Sequence, residues 1–64
     1  MKTWHGVRTR HYDSGDAMPR MIGTAEAEDR PKTEFRELPM YDEYTDWFGT
    51  RKEAERFFRN ALEA

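Results

Sequence analysis

The run WFGTRKEAERFFRNAL at residues 47–62 constrains the fold more than any other stretch of this chain. Thr50 followed by Glu53 is a capping-box pattern: the threonine oxygen accepts from an early helical N–H, and the glutamate reaches back towards the cap. The pattern predicts a helix over residues 50–63. Ala54, Phe57, Phe58, Ala61 and Leu62 recur at three- and four-residue spacing and share one stripe, whereas Lys52, Glu55, Arg56, Arg59 and Asn60 fall elsewhere. Two phenylalanines and a leucine on one stripe must be buried by something. Only the preceding residues can supply that surface.

Those residues read as strands. Residues 2–12, KTWHGVRTRHY, are rich in Trp, Val, Thr and Tyr and contain no proline. Alternation places Trp4, Gly6, Arg8, Arg10 and Tyr12 on one face and His5, Val7, Thr9 and His11 on the other. Asp13, Ser14, Gly15 and Asp16 then supply turn chemistry and reverse the chain. Residues 20–28, RMIGTAEAE, form a second candidate strand, although its AEAE piece also suits a helical turn. Residues 28–34 are a charged, proline-marked connection, and 33–37 extend the sheet before Pro39. Residues 40–48, MYDEYTDWF, give a last strand with Tyr41, Glu43, Thr45 and Trp47 on one face and Met40, Asp42, Tyr44, Asp46 and Phe48 on the other. The Trp47 face carries one acid against two. It is the face expected under the helix, because an unpaired buried carboxylate is expensive.

The expected architecture is α+β: a three- to four-stranded antiparallel sheet packed by one C-terminal helix, in a single small domain spanning residues 1–64. No internal repeat interrupts it. At 64 residues a single core is barely sufficient, so Phe57→Ala is expected to unfold the domain. The chain has no cysteine, which excludes disulfide staples and thiolate metal sites and fits a reducing cytoplasm. Hydrophobic residues make up 36% and charged residues 38%, a balance that would favour disorder without the two Trp, three Tyr and four Phe. A net charge of −2 offers no global attraction for nucleic acid or anionic membrane. No apolar run approaches a membrane span and no signal-peptide core follows Lys2, so a soluble, cytoplasmic protein is expected.

Three groups of residues carry a resemblance: Gly6-Val7-Arg8, then Trp47-Phe48-Gly49-Thr50, then Glu53-Ala54 with Phe57. In this order the chain resembles the amino-terminal arm-binding domain of tyrosine-recombinase integrases. It is similar also to the plant ethylene-response-factor DNA-binding domain. The resemblance implies a helix-free sheet face lying in the DNA major groove, with Trp4, Arg8 and Arg10 making the contacts. Against this stand Asp42, Glu43 and Asp46 on the last strand and Glu26, Glu28 and Asp29 near the second, which would oppose the gain from neutralised phosphates. Arg8 and Arg10 also suit simple cross-strand pairing with those acids.

Other chemistry finds little support. His5 and His11 share parity, but six residues of strand span about 20 Å, too far for one metal ion. Ser14 lies in a turn without a nucleophile motif, His11 near Asp13 is an acid/base pair on paper only, and no glycine-rich loop precedes the helix. No enzyme, cofactor or metal site is expected. Tyr12, Tyr41, Tyr44, Trp4 and Met40 are more aromatic and soft surface than one helix can cover, and such residues favour interfaces. The first functional reading is therefore a non-catalytic protein-binding module that occludes a basic, nucleic-acid-handling site on a partner protein. Asp42, Tyr44 and Asp46, joined by Tyr41, Glu43 and Tyr12, would form its surface. Small acidic phage inhibitors, including anti-CRISPR proteins, act in this manner. Sheet-mediated DNA binding is the alternative, and a self-associating module or homodimer is the third reading.

Overall fold

A computed structural model describes residues 1–63. Strand β1 (Lys2–Tyr12) is followed by β2 (Ala17–Ala27), β3 (Glu34–Glu37), β4 (Tyr41–Phe48) and helix α1 (Arg51–Glu63). All pairings are antiparallel, and the strands lie in the order β2-β1-β4-β3. The fold is thus the expected α+β sheet with one C-terminal helix. Strand β2 starts three residues earlier than its sequence suggests, and its AEA segment continues the strand. Pro19 is tolerated there because β2 is an edge strand, where a missing N–H need not break a ladder.

Two glycines shape the sheet. Gly15 closes the β1–β2 turn at φ +96°, with Tyr12 N–H donating to the Asp16 carbonyl at 2.9 Å. Gly23, at φ +98°, accompanies a bulge: Gly6 pairs with Gly23, but Val7 pairs with Met21, leaving Ile22 as the extra residue. Beyond the bulge every β2 side chain has changed face relative to an unbroken register.

The helix begins as its capping box requires. The Glu53 N–H donates to Thr50 Oγ1 at 3.1 Å, and the Ala54 N–H donates to the Thr50 carbonyl at 3.2 Å. The glutamate closes the box on the threonine hydroxyl, which donates to Glu53 Oε1 at 3.2 Å, rather than on the backbone of the cap. Ala54 is fully buried, and Phe57, Phe58 and Ala61 are half-buried. Leu62, expected on the same buried stripe, is 57% exposed, so the last turn adds little to the core.

The helix does not cover the face expected from counting acids. Phe48 lies against Phe57 at 5.1 Å between ring centroids, and fully buried Val7 shares its face through the register His5–Phe48 and Val7–Asp46. The Phe48 face is therefore the covered one, and the Trp47 face is helix-free. The carboxylate argument failed for two local reasons. The helix lies closest to β2 and β1, meets β4 least and does not reach β3, so Asp42 stays half-buried at the uncovered end. Asp46 accepts a hydrogen bond from Thr33 at 3.1 Å. Meanwhile Glu43, the single acid that β4 places on the other face, is the buried one, held between arginines rather than under the helix.

Candidate functional site

Strand pairing sorts the charges by face. On the helix-free face, register aligns Arg8 with Arg20 and Thr45, Arg10 with Met18 and Glu43, and Glu43 in turn with Arg36. Glu34 joins Glu43 as a second acid on this face, through its pairing with Thr45. On the helix side lie Asp42, Asp46, Glu37 and Glu26. Four arginines therefore share one surface, and most strand acids lie on the opposite one.

Glu43 is the fixed point of the arginine face. Arg10 Nε donates to Glu43 Oε2 at 3.1 Å, Arg8 Nε stands 3.6 Å from Oε1, and Arg8 Nε also donates to Thr45 Oγ1 at 3.2 Å. The carboxylate side chain is 7% exposed, whereas the arginine side chains are 39% and 43% exposed. A buried carboxylate with two guanidinium partners is adequately compensated, and the arginines are oriented by it while their outer edges meet solvent. Arg10 also lies over the Tyr41 ring, 4.9 Å from its centroid, and Tyr41 packs on Tyr12 at 5.1 Å. Hydrogen bonding to Tyr12, and then to Glu43, pushes the Arg10 pKa above its ordinary value, so this cation stays charged.

Arg20 has no ion-pair partner among the described residues, and it faces Arg8 directly across the strands. Like charges in that position repel. A groove of about 590 Å³ follows this row and is lined by Arg8, Arg10, Tyr12, Met18, Arg20 and Ile22, among others. Its walls are cationic and soft.

The residues singled out in the sequence end up in two places. Tyr12, Tyr41, Glu43, Arg8, Arg10 and Trp4 share the helix-free face, while Asp42, Tyr44 and Asp46 lie on the other. The expected acidic and tyrosine surface is thus split in two. Trp4 Nε1 donates to the Ala27 carbonyl at 3.0 Å, and Arg30 sits 5.6 Å over its ring, so this tryptophan anchors the 28–33 connection. Trp47 packs over Gly6 beside Ile22: a Cβ on Gly6 would stand 2.8 Å from either. That tight contact is a reason for glycine at position 6.

Arg20 and Arg36 were missed from sequence, whereas the cross-strand pairing expected of Arg8 and Arg10 is met, with Glu43 as the acid. Arg36 shares a face with Glu43 only through the β3–β4 register, and Arg20 required knowledge of the bulge. Ser14 donates to Asp16 at 3.2 Å within the turn, and His11 meets Tyr44 edge to face at 5.4 Å. Among the described residues no three His, Asp or Glu side chains are grouped to hold a metal ion, and no helix is long and apolar enough to cross a membrane.

Comparison with known proteins comes back empty. No family model, curated protein or solved structure matches the chain. The geometry of the site is therefore the ground for any functional reading.

Proposed function

We propose that the chain is a non-catalytic DNA-binding domain that lays the helix-free face of its sheet against the duplex. One observation carries the reading: Arg8, Arg10, Arg20 and Arg36 share that face, whereas Asp42 and Asp46, the acids that argued most against phosphate, lie on the other. Glu43 is already matched to two arginines and opposes phosphate less than a free carboxylate would. A phosphate near Arg8 and Arg20 would relieve their mutual repulsion. Arg is suited to this task because its planar fork binds phosphate oxygens and guanine edges bidentately. The resemblance carried by Gly6-Val7-Arg8 and Trp47-Phe48-Gly49-Thr50 points to the same face. A groove without grouped acid/base residues suits binding rather than turnover.

The test is an anisotropy titration of a labelled mixed-sequence duplex at low salt. The wild-type chain should bind, and the slope of log affinity against log salt should flatten by about 0.9 for each phosphate contact removed in Arg20→Ala and Arg36→Ala. A chain that ignores duplex even at low salt, or variants with the wild-type slope, would overturn the reading.

A further inference from the structure

The helix side of the sheet is only half covered. Because α1 does not reach β3 and meets β4 at Phe48, the part of that face formed by β3 with Asp42 and Tyr44 of β4 has no helix above it. A row of rings crosses it: Phe35 packs on Tyr44 at 4.9 Å, and Tyr44 meets His11 at 5.4 Å. Phe35 is 53% exposed and Tyr44 37%. Beside the rings, Glu37 and Asp42 stand directly opposite each other, and neither has an ion-pair partner among the described residues. No Lys or Arg of the sheet shares this face; His11, opposite Asp42, is its nearest titratable neighbour in the register. Two facing carboxylates without a cation are repulsive, as Arg8 and Arg20 are on the other face.

From this we infer that this uncovered part of the helix side is a docking surface for an arginine-bearing segment of a partner protein. The occupant is chosen by charge. A guanidinium set between Asp42 and Glu37 cancels their repulsion, and its flat face can stack on Tyr44 or Phe35 in the way cations bind aromatic rings. A nucleic acid is disfavoured here by the same carboxylates. A second copy of the chain would have to bring its own cationic face, Arg8 and Arg20, against this one, and such a head-to-tail contact builds rings or open chains rather than a two-fold dimer. The inference does not depend on DNA binding, since it uses none of the arginine-face residues.

The probe is a fluorescein-labelled peptide of alternating arginine and valine, with an alternating glutamate and valine peptide as control. Anisotropy gives affinity, and amide chemical shifts of the labelled protein give location. The expected result is salt-dependent binding of the arginine peptide alone, with shifts centred on Phe35, Asp42 and Tyr44. Asp42→Lys and Phe35→Ser should each weaken it by about tenfold, while Glu28→Lys, which changes net charge equally at the far end of β2, should leave it nearly intact. Phe35 lies on an exposed edge, so its variant should fold even if the others do not. The inference is overturned by shifts elsewhere, by equal losses in Asp42→Lys and Glu28→Lys, or by sedimentation showing a self-associated species that Phe35→Ser returns to monomer.

Discussion

Replacing Glu43 with glutamine separates the two roles of the arginine clamp, because it should lower stability and raise affinity for duplex at once. The substitution keeps the shape of the side chain and removes its charge. In the native sheet Glu43 accepts from Arg10 at 3.1 Å and lies 3.6 Å from Arg8, with its own side chain 7% exposed. Hydrogen bonds to charged groups contribute about 1.5–3 kcal/mol. Here the arginines are about two-fifths exposed and can turn back to water, and the glutamine oxygen can still accept one bond. The net loss should be about 1–2 kcal/mol. For a domain this small that corresponds to a melting temperature lowered by about 5–15 °C, read by circular dichroism. Affinity should move the other way. A carboxylate about 7 Å from a bound phosphate, in an effective dielectric of about 40, repels it by about 1 kcal/mol. Its neutralisation should tighten duplex binding by about fivefold at low salt. An unchanged melting temperature would refute the clamp. Weaker duplex binding would refute the claim that Glu43 opposes phosphate.

Three further outcomes test the fold. Phe57→Ala removes the ring that packs on Phe48 and should cost about 3 kcal/mol, a large share of the roughly 3–10 kcal/mol expected for a chain of this length; a denaturant midpoint near wild type would contradict it. Gly6→Ala places a methyl 2.8 Å from Ile22 and Trp47, and the overpacking should cost about 1–3 kcal/mol by chemical denaturation, with a shifted tryptophan emission maximum. Thr50→Ala removes the cap that accepts from the Glu53 N–H and should cost about 1 kcal/mol, whereas Thr50→Ser should restore most of it.

The sequence determined most of the elements, because most were encoded locally; the start of β2 and the strand state of its AEA segment were not. Thr50 and Glu53 cap the helix whatever lies beneath it, the Trp, Val, Thr and Tyr of residues 2–12 and the aromatics of 40–48 favour strands, and Asp13 to Asp16 supply a turn. Which face the helix takes was not local. Acids were counted as though each would be buried and unpaired, but Asp42 lies beyond the helix's reach, Asp46 is met by Thr33, and Glu43 is matched by arginines from a neighbouring strand. Those partners are more than ten residues away in the chain and carry no signature within any window.

The arginine surface was half legible. Arg8 and Arg10 sit two apart on one strand, so their shared face follows from the pleat alone. Arg20 does not follow. With an unbroken register from Gly6–Gly23, it would pair with Thr9 and point towards the helix side. The bulge at Ile22 shifts the pairing by one residue and brings Arg20 opposite Arg8. Side-chain direction in a strand alternates residue by residue, so one unpaired residue reverses every position after it. Composition and periodicity thus set what this chain is built from. The register of a single bulge, which exists only once two distant strands are aligned, decided where its charges face.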